Sequence, residues 1–259
     1  MKTILTIAGS DSGGCAGIQA DIKTAQAFDC YSTTCLTVLT AQNTTGVKEI
    51  FPISPQFIQS QLNAIFNDIE IHAIKIGMLY HKDVILAVYE ILKDIQIPIV
   101  VDPVCISRSG DKLLLADAIE EYKKLFSIAT IVTPNFYEAC YILNNSNQDV
   151  SKLVQNANDF VSQYKTYLLI KQFPQNQYNT IDTLFCTSFV SEFNTPTVDT
   201  KNNNGTGCSF STAIACGLAK GQDLTIAINN AKSFIYQALL KAPNIGKGNG
   251  PINHKAGGI

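Results

Sequence analysis

The 259-residue chain carries 19 Lys and Arg against 21 Asp and Glu, giving a formal net charge of -2 at pH 7, and 46% of it is hydrophobic. That length and apolar content suffice for a large core within the range of single α/β domains, so one domain over residues 1–259 is expected. A pI near 5.9 and a single arginine, Arg108, offer no basic field for nucleic acid, and no apolar run reaches the roughly 18 residues that span a bilayer, so small-molecule chemistry is expected.

Eight cysteines show no metal-finger spacing, and the N-terminus has no secretory cleavage pattern, which predicts reduced thiols and a cytoplasmic protein. Residues Thr3 to Ile7 form an apolar run that stops at Ala8-Gly9-Ser10-Asp11-Ser12-Gly13-Gly14, and a helical pattern starts near Ala16. This strand, glycine loop and helix lack the Lys and Ser/Thr of a P-loop. Asp11 and Asp21 are candidate ligand contacts, with a turn aspartate and a helix-surface aspartate as the alternatives.

Tyr31 to Leu39 reads as a strand that ends in the polar stretch Thr40 to Val47. There the amides of Gln42 and Asn43 can donate and accept at once, which suits a heteroaromatic ring bearing an amino group or satisfies loop backbone. Pro55 to Phe66 is helical, and Ala73 to Leu79 is a strand in which Met78 lines a pocket or fills the core. After a helix from Val84 to Leu92, the β-branched run Ile99-Val100-Val101 ends at Asp102-Pro103, where open parallel sheets bind ligands. Asp102 is therefore a candidate for phosphate contact through water or metal, or a turn aspartate before proline. Arg108 follows in a polar loop, as an anion clamp or a solvated surface residue.

Ala129 to Val132 is a strand leading to Thr133-Pro134-Asn135-Phe136-Tyr137-Glu138. Asn135 and Glu138 share one helical face, so they hold magnesium-bound waters or form an N-cap and its partner. Val150 to Tyr164 is helical, Thr166 to Ile170 is a strand closed by Lys171, and Thr183–Cys186 with Phe189–Phe193 suggest a hairpin. Strands alternate with helices, which predicts a mainly parallel sheet sandwiched by helices.

Thr200 to Ala213 runs from polar loop into helix through Gly205-Thr206-Gly207-Cys208. Unpaired amides at such a helix start bind an anion, and glycines let the main chain approach it. Cys208 sits in the same field, as a reacting group or a small core residue. A helix terminus contributes only about 0.3–1 kcal/mol, less than one pKa unit, so Cys208 is expected to remain mostly thiol at pH 7. A second helix covers Leu224 to Leu240, and a glycine-rich tail ends the chain. His72, His81 and His254 are scattered, which argues against a Cys–His covalent mechanism.

Taken in order, the Gly9 loop, Gly17-Ile18-Gln19-Ala20-Asp21, Ala41-Gln42-Asn43-Thr44, Lys75-Ile76-Gly77-Met78-Leu79, Asp102-Pro103-Val104, Ser109-Gly110, Asn135 with Glu138, Gly205-Thr206-Gly207-Cys208 and Gly250-Pro251 are similar to the hydroxymethylpyrimidine/phosphomethylpyrimidine kinases of thiamine biosynthesis, in the ribokinase-like superfamily. The resemblance covers nearly the whole chain. It implies a three-layer α/β sandwich and ATP- and Mg2+-dependent phosphorylation of 4-amino-5-hydroxymethyl-2-methylpyrimidine and then of its monophosphate, in a homodimer. It implies that Gln42 binds the pyrimidine edge and that Gly9, Asp21 and Met78 shape its pocket. Cys208 would be the base, Gly205 and Gly207 the anion hole, and Asp102, Asn135, Lys171 and Thr206 the nucleotide and phosphate contacts, with Glu138 toward magnesium. Where the family follows its lysine with Gly-Gly-His, this chain has Gln172-Phe173-Pro174, and Asn204 replaces its usual histidine before the glycine motif. Pyridoxal kinase and a non-catalytic pyrimidine-binding protein are the competing readings.

Overall fold

The computed structural model describes residues 1–104 and 119–256. Arg108 and the Ser109-Gly110 match lie outside the described residues. Strands β1 (Lys2–Asp11), β2 (Cys30–Asn43), β3 (Gly46–Pro52), β4 (Ala73–Ile76), β5 (Ile99–Val101), β6 (Ile131–Val132), β7 (Tyr167–Ile170), β8 (Asn179–Phe185) and β9 (Val190–Pro196) form one sheet, ordered β3-β2-β1-β4-β5-β6-β7-β8-β9. From β2 through β7 the pairing is parallel, while β3, β8 and β9 add antiparallel edges. The central strands are short, apolar and buried on both faces, as parallel strands covered by helices must be.

Helices α2 (Pro55–Phe66), α3 (Lys82–Leu92), α4 (Ile119–Phe126), α5 (Phe136–Ile142) and α6 (Val150–Tyr164) cover one face, around Ile74, Val101, Tyr122 and Phe126. Helices α1 (Gly17–Ala27), α7 (Thr206–Ala219) and α8 (Leu224–Leu240) cover the other, around Ile4, Val100, Phe210 and Phe234. The result is a three-layer α/β sandwich. Because the chain moves outward from β1 in both directions, a crevice opens at the carboxyl ends of β1 and β4.

Two segments shape that end of the sheet. After β1, the Asp11 carboxylate accepts from the amides of Gly13 (2.8 Å), Cys15 (2.9 Å) and Ala16 (2.8 Å) and so folds the glycine loop; Asp11 forms the turn of the one reading and also lines the cavity that the other requires. Near the C-terminus, Asn249 N donates to Thr44 O (2.9 Å), Asn204 N donates to Gly250 O (3.0 Å), and His254 Nε2 lies 2.8 Å from Ser209 Oγ. The tail thus bridges the β2–β3 turn and the start of α7.

Burial pulls the His254 imidazole down to about 4, with the nearby Lys23 charge adding to the effect. The neutral ring is favoured in the fold, so its contribution is present above an unfolded value near 6.5 and is lost as pH falls toward 4. We expect His254→Gln, which keeps a polar partner for Ser209, to flatten the decline in unfolding free energy between pH 6.5 and 4. Urea melts across that range measure it, and parallel declines in the two proteins would count against the assignment.

Candidate active site

The crevice holds a cavity of about 520 Å³. Its walls come from the residues that leave the parallel strands at their carboxyl ends: Gly9 from β1, Gln42 from β2, Met78 after β4, Asp102 after β5 and Lys171 after β7. The first turn of α7 closes it. Gly205 has φ 86°, and a Cβ there would collide with the Cys15 carbonyl oxygen, so the close approach of this loop to the Gly13–Ala16 turn needs glycine. The same holds at Gly17, with φ 55°, where a Cβ would meet the Gly9 carbonyl oxygen. These two approaches present the start of α7 directly to the cavity, where helix amides can meet an anion.

On one side, a Cβ placed on Gly9 would lie 3.4 Å from Met78 Sδ, so an apolar shelf sits beside bare backbone. The Thr40 hydroxyl donates to Gln42 Oε1 at 3.2 Å, which orients the carboxamide, and Gln42 N donates to Ser12 Oγ at 2.8 Å. On the other side the cavity is charged. Lys171 Nζ donates to Asp102 Oδ1 (2.8 Å), Ser211 Oγ lies 3.3 Å from Asp102 Oδ2, and a Cβ on Gly207 would be only 3.4 Å from Lys171 Nζ. Burial disfavours the Lys171 charge, but Asp102 and Glu138 outweigh it and hold the ammonium above its ordinary value.

Deeper in the floor, Lys75 Nζ donates to both oxygens of Asp21 at 2.9 Å, and Thr212 Oγ1 donates to Asp21 Oδ1 at 2.8 Å. Cys208 stands above this group at the helix start. Burial pushes its thiol up to about 11; Lys75 works against that shift, while Asp21 and Asp102 reinforce it. At neutral pH Cys208 is a thiol.

The phosphomethylpyrimidine kinase family model matches residues 11–253. The chain belongs to this family. It is 39% identical to the hydroxymethylpyrimidine/phosphomethylpyrimidine kinase of Haemophilus influenzae, over 99% of this chain and 97% of that one. It is also 39% identical to the thiamine biosynthesis bifunctional protein ThiED of Geobacter sulfurreducens, over 97% of this chain but only 52% of the relative, so it spans about half of that longer protein. Among solved structures, a Clostridium difficile phosphomethylpyrimidine kinase has 36% identity and TM-score 0.79, over 92% of this chain and 99% of that one. An ADP complex of Bacillus subtilis pyridoxal kinase has 32% identity and TM-score 0.88, over 99% and 98%. The sandwich is therefore the ribokinase-like fold of these kinases.

In this phosphomethylpyrimidine kinase relative, the cavity brings together Gly9, Gln42, Met78, Asp102, Asn135, Glu138, Lys171 and the run Gly205 to Cys208. Asp21 is the exception. It does not line the cavity and is no surface residue either: it is fully buried, and its carboxylate is spent on Lys75 and Thr212. Asn135 and Glu138 do form the N-cap alternative, a capping box in which Asn135 N donates to Glu138 Oε2 (2.9 Å) and Glu138 N donates to Asn135 Oδ1 (3.0 Å), yet both also face the cavity. Sequence reasoning gave no role to Lys75, although a lysine inside an otherwise apolar parallel strand was a signal that it is held by a partner. It also missed Asp182, which lines the cavity, accepts from Gln172 N (2.8 Å) and pairs with Lys232 at 2.6 Å.

With its thiol pushed to about 11, Cys208 should react with iodoacetamide at a rate that climbs roughly tenfold per pH unit from pH 7 to 9.5 without a plateau. Peptide mapping of the modified cysteine reads this out; a plateau below pH 9 would show that the resting group is a thiolate.

Proposed function

We propose that this chain, as one catalytic domain over residues 1–259, phosphorylates the hydroxymethyl group of 4-amino-5-hydroxymethyl-2-methylpyrimidine and then the resulting monophosphate, with ATP as donor. The observation that carries the reading is the single cavity in which Gln42 and Met78 face the glycine-built start of α7 and Cys208. Gln42 offers the paired donor and acceptor that an aminopyrimidine edge requires, and Gly9 leaves room for a flat ring. The relatives' names in the same family support this substrate, and the ADP complex supports a nucleotide donor.

Phosphoryl transfer asks mainly for position and charge. The hydroxymethyl oxygen attacks the γ-phosphorus, the bond to the bridging oxygen breaks, and ADP leaves. Amides of Gly205 and Gly207 with Thr206 would receive the developing negative charge, an interaction whose loss typically costs about 10²–10³ in rate. Lys171 would stand beside the phosphates with Asp102 and Asn135 positioning them. Cys208 faces the hydroxyl as its base. With its thiol pushed to about 11, the base is the small thiolate fraction, which accepts the hydroxyl proton late in the transfer, when the oxygen has become acidic, and becomes the thiol.

Magnesium fits this wall. Asp102 and Glu138 are carboxylates on the cavity, and Mg2+ in kinases uses one or two carboxylates plus phosphate oxygens and water rather than an all-protein cage. Consistent with that mode, no cluster of three or more His, Cys, Asp or Glu suited to a metal occurs among the described residues. Bound there, the ion would neutralise phosphate charge. A cytoplasmic homodimer belongs to the same reading. No helix among the described residues is long and apolar enough to cross a membrane, and exposed Phe51 and Phe57 near the β3 edge offer an apolar surface for a second copy.

Pyridoxal phosphorylation is the second reading, favoured by the match to the Bacillus subtilis pyridoxal kinase along nearly the full length of both chains. Assaying the pyrimidine alcohol, its monophosphate and pyridoxal side by side separates the two. We expect Gln42→Leu to raise KM for the pyrimidine alcohol by about 10- to 100-fold, the loss of one or two hydrogen bonds to a ring edge, with KM for ATP within twofold. Cys208→Ala should lower kcat by about 10²–10³ while pyrimidine binding persists. Absence of turnover on both pyrimidines sinks the reading.

A further inference from the structure

Lys75 occupies the third position of β4, opposite Thr6 of β1 and Val100 of β5. Its neighbours Ile74 and Ile76 point into the α2–α6 layer, so Lys75 points toward α1 and α7. A fully buried ammonium there is costly, and packing alone would be served as well by an apolar residue. Three elements nevertheless converge to hold it. Asp21 from α1 takes it with both oxygens, and Thr212 from α7 fixes Asp21, one turn beyond Cys208 on the same helix. Lys75 also borders the cavity, and a Cβ on Gly77 would lie 2.8 Å from Nζ, so the bare Gly77 backbone packs against the ammonium.

We propose that Lys75 is a catalytic residue: its ammonium, held by Asp21 and Thr212 at the cavity floor beside Cys208, favours the Cys208 thiolate and stabilises the negative charge that forms as the hydroxymethyl oxygen gives its proton to that thiolate, leaving the thiol, and bonds to the transferred phosphorus. Asp21 and Thr212 are positioning residues that act through it. The electrostatic influence of Lys75 on Cys208 has the right sign, since it favours the thiolate against burial and the two aspartates. Lys171 is already committed to Asp102, so the two lysines divide the work, one at the phosphates and one at the acceptor oxygen. This assignment rests on the proposed kinase reading.

The test compares wild type with Lys75→Met and with the double variant Asp21→Leu/Lys75→Met, which replaces the pair by apolar side chains of similar size. Folding is checked by circular dichroism and thermal melting, ring binding by calorimetry with the pyrimidine alcohol. We expect the double variant to fold, to bind the alcohol within about threefold of wild type, and to lose about 10²-fold or more in kcat. In Lys75→Met, alkylation of Cys208 at pH 9 should slow about tenfold, the change a single nearby charge makes. A folded double variant with kcat within threefold of wild type shows a merely structural pair and overturns the proposal, as does failure of both variants to fold. If wild type turns over neither pyrimidine, the kinase reading fails by itself, while the alkylation rate still decides whether Lys75 acts on Cys208.

Discussion

The ion pair between Asp21 and Lys75 is the constraint around which the active end of this molecule is arranged. Both side chains are fully buried, and removing one partner of such a pair typically costs about 3–5 kcal/mol because the other charge is stranded. The pair therefore fixes α1 and β4 together, and the Thr212 bond adds α7 to the same node. Two further buried or nearly buried pairs repeat the device along the sheet. Lys171–Asp102 joins the ends of β7 and β5, and Lys232–Asp182 joins α8 to β8. Charges that would be liabilities in a core become tolerable here because each is paired, each pair has a member bordering the polar crevice, and further donors satisfy the carboxylates.

Given that node, the backbone does the rest. α7 can bring its first turn against the Gly13–Ala16 loop only because Gly205 takes φ 86° and has no side chain to strike Cys15. The loop in turn keeps its shape because Asp11 holds three of its amides. On the far side, the bridge between Asn204 and Pro251 and the packing of Gly246 and Gly248 on Thr44 tie the tail to both the helix start and the β2–β3 turn. Gln42 and Gly207, on opposite sides of the cavity, thus belong to one connected frame.

Much of this frame was legible in the sequence, because continuous apolar runs ending in Gly, Asp or Lys mark parallel strands and the places where side chains turn toward a ligand. Helix α4 was not, since Glu120, Glu121, Lys123 and Lys124 dominate its pattern while Tyr122, Leu125 and Phe126 reach the core. Gln42 and Asn43 read as loop but belong to β2, because pairing with Val47 and Gly46 across the turn extends the strand beyond its apolar part. Asp21 and Lys75 lie 54 residues apart, and neither periodicity nor spacing reveals that one is the other's counterion. The capping-box and metal-facing readings of Asn135 and Glu138 were indistinguishable in sequence, and the geometry shows why: cap and cavity wall are the same atoms' surroundings.

The two departures from the family pattern fall where backbone, not side chain, sets the frame. Gln172 has φ 56°, a left-handed conformation that explains a glycine as the usual occupant and that a glutamine adopts at roughly 1–2 kcal/mol. Its amide still reaches Asp182, and Phe173 N still donates to Ile181 O at 2.8 Å, so the turn after β7 keeps Lys171 in place. At Asn204 the structural contact is likewise made by the main chain, to Gly250. Neither substitution therefore disturbs the cradle at Gly205 to Cys208. What each changes is the side chain offered to the cavity, since Gln172 and Asn204 both line it. Their consequence belongs to how the bound molecules are contacted, while the charge arrangement beneath Cys208 is left as the fold builds it.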